Sequence, residues 1–92
     1  MSKKITITPT PDFNAPISPE LIGKAIRAKR TQSQLRLEDA AALCGVAKQT
    51  LANAEHGHPN TQISTLLQIC ASLGIHITIL PWQDNEVNNE WQ

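Results

Sequence analysis

Three polar side chains at helical spacing stand out in one short segment of the sequence. Residues 45–57 contain Lys48, Gln49 and Asn53. The amides of glutamine and asparagine pair with N6 and N7 of adenine, and a lysine donates to O6 and N7 of guanine. A solvated helix face with the same residue types is the simpler alternative. The elements that position these side chains therefore decide between the two interpretations.

The segment forms the second of two short helices that a tight turn connects. The pattern predicts a helix over 37–44 that ends at Gly45, and a second helix over 48–56. On a helical wheel of about 100° per residue, Leu51 and Ala54 face away from the polar side chains. Two helices joined in this way are typical of a helix-turn-helix, whose second helix enters the major groove of DNA.

Two longer helices are predicted on either side of this pair. Ser18 and Pro19 begin the first, as a hydroxyl cap followed by proline at the first helical position, and it runs to about Gln32. The last helix spans about 62–73, with Thr61 as its cap. The predicted fold class is therefore mainly α, a compact bundle of four to five helices.

The chain divides into three regions of different composition. Residues 1–17 carry a β-prone stretch at 5–8 and then three prolines, which predicts an extended N-terminal arm. Residues 18–80 are predicted to form a helix-turn-helix DNA-binding domain, and residues 81–92 are predicted to form an acidic tail with two tryptophans. The first 48 residues hold all eight lysines and arginines against four acids, whereas the rest holds four acids and no base. This split predicts a basic binding surface and an acidic segment with another role.

A C-terminal β-strand is predicted at residues 75–80, where Ile75, Ile77 and Ile79 alternate with other residues. A strand this short cannot stand alone, because its backbone donors and acceptors need a neighbour. The neighbour is either residues 5–8 of the same chain or the equivalent strand of a second copy. We favour the second, and so predict a homodimer closed at least partly by this strand.

A family resemblance lies in residues 35–55, LRLEDAAALCGVAKQTLANAE, which are similar to the Xre/Cro family of helix-turn-helix regulators. Residues 63–75 look like the helix that follows in that family. The resemblance implies a compact bundle that binds double-stranded operator DNA. It also implies roles for particular side chains: base contacts by Lys48, Gln49 and Asn53, a phosphate contact by Thr50, and a structural salt bridge between Arg30 and Glu55.

The start of each of the two short helices departs from the family's pattern. A hydroxyl cap followed by glutamine usually opens the first of them, but Arg36 and Leu37 stand there. Ala47 replaces a frequent serine or threonine cap of the second. Arg36 can supply a phosphate contact in place of the glutamine, and Arg27 is a second basic side chain suited to that role. Because leucine and alanine cannot make such contacts, weaker binding per subunit is expected, which favours a dimer.

The segment after the fourth helix resembles HipB-type antitoxins, because a strand is followed by an acidic tail that ends Asn-Asn-Glu-Trp-Gln. In those proteins the dimer closes through a strand pair, and the tail reaches toward a kinase-like toxin. The resemblance implies a transcriptional repressor that acts as the antitoxin of a HipA-like kinase, with Trp82 and Trp91 as partner-binding anchors. The alternatives are packing of Trp82 on the chain's own strand, a stand-alone or phage-type regulator, and a protein adapter that has lost DNA binding.

Composition argues against several other classes. A chain of 92 residues, 40% of them apolar, makes one small domain. No apolar run is long enough for a membrane span or a signal peptide, so the expected location is the cytoplasm. Cys44 and Cys70 match no zinc or redox spacing and are expected as buried thiols. The histidines, His56, His58 and His76, are best explained as exposed side chains. We therefore predict no catalytic residues, no metal site and no cofactor.

Overall fold

Four α-helices account for the regular structure of residues 5–82, the part of the chain that the computed structural model describes. They are α1 (Pro19–Gln32), α2 (Leu37–Cys44), α3 (Lys48–Glu55) and α4 (Ile63–Leu73). This helical architecture confirms the mainly α prediction. Both α1 and α2 pack against α3 and α4. The core that they enclose is aliphatic, and its larger side chains are Ile22, Ile26, Leu51, Leu66, Ile69 and Leu73.

The start of α1 follows from the cap that the sequence shows, whereas the start of α4 does not. Ser18 Oγ accepts a hydrogen bond from the N–H of Leu21 at 3.1 Å and so begins α1. At α4, however, Gln62 rather than Thr61 holds the cap position, and its carbonyl accepts from the N–H of Leu66. The hydroxyl of Thr61 therefore lies one residue too early to reach the first turn, and the prediction of that cap is wrong.

The turn between α2 and α3 is built on a glycine with left-handed backbone. Gly45 has a φ of 72°, a conformation that residues with a Cβ rarely adopt. The N–H of Gly45 bonds to the carbonyl of Ala42 at 3.2 Å, and that of Val46 bonds to the carbonyl of Ala41 at 3.0 Å. These bonds close the end of α2. Ala40 and Ala41 are buried, and their small size lets α2 and α3 cross closely.

The N-terminal arm lies along α1 and is held there by hydrogen bonds. The N–H of Thr8 donates to Thr31 Oγ1 at 2.9 Å. Gln32 Nε2 donates to the carbonyl of Thr8 at 3.0 Å and to Thr10 Oγ1 at 2.9 Å. Thr31 is buried, and its hydroxyl in turn donates to the carbonyl of Arg27 at 2.9 Å. The arm is thus held against α1 at Thr8 and Thr10, a turn follows at residues 13–15, and no strand is formed among residues 5–17.

The predicted β-strand at residues 75–80 is not formed. The N–H of Ile75 bonds to the carbonyl of Cys70 at 2.8 Å and finishes the end of α4. Ile75 and Ile77 pack against the helical core, whereas Ile79 is 90% exposed. The physical reason is that a strand needs a neighbour, and within the described chain the N-terminal arm bonds to α1 instead.

Both cysteines are free thiols inside the bundle. Burial raises the pKa of the Cys44 thiol, against a smaller opposing effect of a hydrogen bond with Ser72. Burial, with the nearby Cys44 as a second cause, raises the pKa of Cys70 from 9.0 to about 11. Thiols in this state stay protonated at neutral pH. They therefore act as small apolar side chains and not as nucleophiles.

Candidate nucleic-acid interface

The outer face of α3 carries the three polar side chains that were singled out above. Lys48 and Gln49 are exposed, and Asn53 is partly exposed. On the opposite side, Leu51 is 0% exposed and Ala54 is 1% exposed. Burial of this apolar side fixes the rotation of α3 about its axis. The polar side is turned toward solvent as a result.

Gln49 and Asn53 are joined to each other across one helical turn. Gln49 Nε2 donates to Asn53 Oδ1 at 3.0 Å, as side chains four residues apart on a helix can. The pair leaves Gln49 Oε1 as an acceptor and the amide nitrogen of Asn53 as a donor. Adenine presents the complementary set in the major groove, a donor at N6 and an acceptor at N7. Two amides that are already joined also lose less conformational freedom on binding than two independent side chains.

Lys48, in the first turn of α3, faces an acid on α2. Its Nζ lies 4.0 Å from Glu38 Oε1, and the two side chains are 63% and 59% exposed. A pair this exposed contributes little to stability. Lys48 can therefore leave Glu38 for a base edge or a phosphate. Glu38 nevertheless lowers the positive potential here, because it lies within a Debye length of any phosphate that Lys48 would contact.

A basic cleft lies between α1, the start of α2 and the N-terminal arm. This arginine cleft has a volume of about 430 Å³, and its lining includes Arg27, Arg30, Arg36, Ile5, Thr6 and Glu38. Because Glu38 also contacts Lys48, the cleft adjoins the outer face of α3. Arg36 holds the N-cap of α2 without a side-chain capping bond, so the first N–H groups of α2 lack a side-chain acceptor. Phosphate oxygens are well suited to such a helix start and to arginine.

One of the three cleft arginines is turned toward the inside of the domain. Arg30 Nε and Nη2 donate to the two carboxylate oxygens of Glu55 at 2.5 and 3.0 Å, and Nη1 donates to the carbonyl of Leu35 at 2.9 Å. The side chains of Arg30 and Glu55 are only 11% and 6% exposed. This is the pair that the family resemblance implies, and it joins α1 to the end of α3. Its role is structural, and Arg27 and Arg36 are the other two arginines that line the cleft.

The residues singled out for binding thus fall into separate places. α3 carries the residues predicted to contact bases, together with Thr50, which is partly exposed. The arginine cleft brings Arg27 and Arg36 together beside that helix. The tail anchors are not part of this surface: Trp82 is 74% exposed at the end of the described residues, and Trp91 lies outside them.

Comparison with known proteins agrees with this geometry. A protein-family model described as helix-turn-helix matches residues 26–80, which include α2, α3 and α4. The chain belongs to the Xre/Cro-type helix-turn-helix family. An uncharacterized HTH-type transcriptional regulator of Sinorhizobium fredii, y4mF, is 35% identical over 63 residues, which cover 68% of this chain and 83% of that relative. DNA-binding regulation of transcription is therefore the general function of this helix-turn-helix chain.

Two residues that position the helix-turn-helix were not predicted from the sequence. Gln68 on α4 donates through Nε2 to the carbonyl of Cys44 at 2.8 Å and so closes the end of α2 from another helix. The free carbonyls at a helix end need hydrogen-bond donors, so a donor was to be expected here. The sequence does not show which residue supplies it, because that depends on how α4 packs against α2. Gly23 on α1 lies against the last carbonyls of α3, where a side chain would not fit.

Other kinds of site are not seen in the described residues. Among residues 5–82, no group of three or more His, Cys, Asp and Glu side chains is placed to hold a metal ion. No helix in that range is long and apolar enough to cross a membrane. Helix-turn-helix regulators as a family are generally not enzymes.

Proposed function

We propose that the protein is a sequence-specific transcriptional repressor that binds double-stranded operator DNA as a homodimer. The observation that carries the proposal is the joined pair of Gln49 and Asn53 on the exposed face of α3, since it offers the acceptor and donor that an adenine edge requires. A protein that occupies promoter DNA excludes RNA polymerase from it. Repression is therefore the regulatory effect that requires no activity beyond DNA binding.

In the proposed complex, α3 enters the major groove with its N-terminal turn foremost. Lys48 donates to a guanine or to a phosphate at the groove edge, while the amide pair binds adenine. The arginine cleft faces the adjoining backbone, where Arg27 and Arg36 contact phosphates and fix the register of the protein on the duplex. The hydroxyl of Thr50 adds a contact on the phosphate side.

Removal of the amide pair should strongly reduce sequence preference and spare non-specific binding. For the double substitution Gln49→Ala and Asn53→Ala, we expect operator affinity to fall roughly 10- to 100-fold, as for a lost bidentate base contact of about 1–3 kcal/mol. Affinity for unrelated DNA of the same length should change little, because phosphate contacts dominate it. The measurement is a binding titration on DNA that the wild-type protein selects from a random-sequence pool, repeated from low to high salt.

Two charge substitutions are controls for the same titration. Lys29→Gln removes a positive charge from the other side of α1, where Lys29 lines a groove with Gly74 and Ile75, and should have little effect. Glu38→Gln removes the acid beside Lys48 and should strengthen binding to every sequence. If the wild-type protein binds no DNA even at low salt, the proposal is wrong and the adapter alternative is favoured. If the double variant keeps full sequence preference, other residues contact the bases.

Exposed apolar side chains support the homodimer. Ile79 and Leu80 are 90% and 78% exposed, and Phe13 and Ile17 of the arm are 60% and 59% exposed. Phe13, Ile17 and Leu80 line one groove of about 620 Å³, so they belong to a continuous surface. Exposed apolar patches of this kind mark association sites. A second copy that pairs its C-terminal segment with this one would cover the patch and supply the neighbour that the predicted strand lacks.

The substitution Ile79→Lys should convert the dimer into a monomer, because a charge would enter the proposed interface without a partner. Sedimentation over a range of concentrations should give about twice the chain mass of 10.1 kDa for the wild type and about one chain mass for the variant. Ile63→Lys is the matched control, since Ile63 is 64% exposed on α4 and lies outside the proposed interface. A wild-type mass of one chain at every concentration would contradict the dimer.

The finer part of the proposal is a role as the antitoxin of a HipA-like kinase toxin. Its support is the sequence resemblance of the C-terminal segment to HipB-type antitoxins and the 74% exposure of Trp82, which lies two residues before Asp84, the first acid of the tail. Tryptophan is the residue type most often found as an anchor in a partner's pocket. The acids around it are suited to a basic surface on that partner. A stand-alone or phage-type regulator is the alternative that the next experiment separates.

The double substitution Trp82→Ala and Trp91→Ala should release the toxin and leave DNA affinity unchanged. The measurement is co-purification with the tagged chain from its native cells, followed by identification of the partner and an assay of its kinase activity. Neutralising the tail with Asp84→Asn, Glu86→Gln and Glu90→Gln is the control, and should slow association more than it weakens the complex. Retention of the toxin by the Trp variant would place the contact on the helices, and the lack of any partner for the wild type would favour the stand-alone regulator.

A further inference from the structure

An apolar groove lies on the side of α1 opposite the arginine cleft. It has a volume of about 620 Å³, and its lining comes from α1, from the N-terminal arm and from the end of α4 with the segment that follows, residues 74–80. Gln32 Nε2 donates to Thr10 Oγ1 at 2.9 Å, which fixes the wall that the arm forms. Ile75 and Ile77 pack against the helical core and fix the opposite wall. The groove is therefore preformed, and its size is that of small-molecule sites.

Most side chains that line the apolar groove carry no charge. Among the described residues of the lining, none is acidic, whereas Lys29 and His76 are basic. The larger apolar side chains are Phe13, Ile17, Leu21, Ile22, Ile75 and Ile77. Burial of hydrocarbon in such a space is favourable, and an excess of one charge selects a ligand of the opposite sign. A ligand that fits is therefore apolar over most of its length and anionic at one end.

Lys29 supplies the positive charge that such a ligand would meet. Its Cε would lie 3.9 Å from a Cβ placed on Gly74, so the stem of Lys29 extends from α1 toward the end of α4. The residue as a whole is exposed, as expected when an apolar stem lies along a wall and the ammonium group stays in water. Within the described chain, neither of the two ion pairs involves Lys29. A carboxylate at the rim of the groove can therefore pair with it.

We propose that the apolar groove binds a small amphipathic carboxylate, whose saturated chain lies between the arm and residues 74–80 and whose carboxylate meets Lys29. The chain supplies most of the affinity, because each methylene group taken from water strengthens binding by up to about fourfold. The head group remains partly in water, so its pairing with an exposed lysine adds less affinity than the chain does. Lys29 instead gives the site its preference for an anion.

A ligand in the groove also competes with a second copy of the chain, a consequence that rests on the proposed function. Phe13, Ile17 and Leu80 line the groove, and they belong to the exposed patch that the proposed homodimer covers. A bound carboxylate would occupy apolar surface that the second copy needs. Because two linked helix-turn-helix units bind an operator more tightly than one, the carboxylate would release the protein from DNA.

Calorimetric titration of the full chain with octanoate and decanoate tests the site in the absence of DNA. We expect both carboxylates to bind, and decanoate to bind roughly 4- to 16-fold more tightly, since it adds two methylene groups. Octylamine, which has a chain of the same length and the opposite charge, should bind more weakly than octanoate. The preference for octanoate should be smaller at about 0.5 M salt than at about 0.05 M, because salt screens exposed charges.

Substitutions in the lining separate the charge from the apolar surface. Lys29→Gln should weaken octanoate roughly two- to fivefold, the range for an exposed ion pair, and should remove the preference over octylamine. Lys24→Gln, at an exposed position of α1 outside the groove, is the matched control. Phe13→Ala should weaken both carboxylates several-fold, whereas Leu43→Ala, on α2 and 58% exposed, should not. Thermal unfolding shows that all four variants remain folded.

Sedimentation and operator titration in the presence of decanoate test the competition. Saturating decanoate should convert the wild-type dimer into a monomer, because a ligand that binds only the monomer draws the equilibrium toward it. Operator affinity should fall at the same decanoate concentrations. The Ile79→Lys variant, which is expected to be a monomer already, should show no such fall.

Failure of the inference and failure of the proposed function give different results. If neither carboxylate binds the wild type, or if octylamine binds as tightly as octanoate, the inference is overturned. If, in addition, Phe13→Ala lowers the mass in solution, the groove is occupied by a second copy and the proposed function stands. If Lys29→Gln binds octanoate as the wild type does, the role of Lys29 is overturned.

Two further results concern the link between the groove and DNA. If decanoate binds but leaves the mass and the operator affinity unchanged, the competition is overturned while the carboxylate site stands. If the wild type binds no DNA, the proposed function is overturned, and the calorimetric titration still decides whether the groove binds a carboxylate.

Discussion

Replacement of Arg30 by alanine is expected to lower the free energy of unfolding by about 3–5 kcal/mol, the range for a buried ion pair that loses one partner. The side chain of Glu55 is only 6% exposed in the intact pair, and its carboxylate would lose the charged donors that satisfy it. The carbonyl of Leu35 would lose its bond from Arg30 Nη1 as well. That bond holds the turn between α1 and α2, where Gln34 has a φ of 63°, an uncommon backbone conformation for a residue other than glycine.

The measurement is urea denaturation followed by circular dichroism, with midpoint and slope compared between variants. Arg27→Ala is the matched control, because Arg27 is an exposed arginine on the same helix and its loss should change stability by less than about 0.5 kcal/mol. The double substitution Arg30→Met and Glu55→Leu should recover much of the loss, since it removes both charges together. Equal stability of the Arg30→Ala and Arg27→Ala variants would show that the pair does not hold α3 in place.

The pair also bears on DNA binding, because Glu55 is the last residue of α3. The other end of α3 carries Lys48 and Gln49, which the proposal assigns to base contacts. Arg30 therefore holds α3 from its buried side, opposite the face that the proposal assigns to DNA. A folded variant that lacks this pair, such as Arg30→Met with Glu55→Leu, should retain its non-specific affinity but discriminate less between sequences, because the amide pair is held less firmly.

The helices were predictable because local signals specify them. Ser18 and Pro19 begin α1, Gly45 ends α2, and the spacing of Leu51 and Ala54 sets which side of α3 is buried. Such signals depend on backbone conformation and on periodicity, which a single sequence shows directly. The strand predicted at residues 75–80 is not formed. A strand depends on a neighbouring strand, and an alternating sequence pattern does not show whether such a neighbour is present.

Within the candidate site, some contacts were predictable from sequence spacing and others were not. The bond between Gln49 and Asn53 follows from a spacing of four on one helix. The approach of Lys48 to Glu38 depends on how α2 and α3 cross, and the placement of the arm beside Arg27 depends on a bond to Thr31 that is 23 residues distant in sequence. Neither of these is visible before the packing is known. The sequence therefore shows which residue types are present, but the electrostatic environment of the surface follows only from how the helices and the arm pack.

Gly23 shows most clearly what packing adds. A glycine inside a helix ordinarily weakens it by about 1 kcal/mol relative to alanine, so the sequence alone suggests that Gly23→Ala would stabilise α1. In the structure a Cβ at this position would lie 2.6 Å from the carbonyl oxygen of Ala54, 2.6 Å from that of Glu55 and 3.0 Å from the Glu55 carbonyl carbon. All three atoms belong to the backbone of α3 and cannot turn aside as a side chain could.

We therefore expect Gly23→Ala to destabilise the domain by about 2 kcal/mol, because overpacking of a tight contact outweighs the gain in helix propensity. Lys24→Ala, at the neighbouring exposed position of α1, is the control for propensity and should be nearly neutral. Thermal unfolding followed by circular dichroism compares the two. To admit the methyl group, α1 and the end of α3 must move apart, and this displaces α3, which the Arg30–Glu55 pair otherwise holds. Operator affinity of the folded Gly23→Ala protein should therefore fall more than its affinity for unrelated DNA, and a rise in unfolding temperature would show that α1 and α3 do not approach this closely in solution.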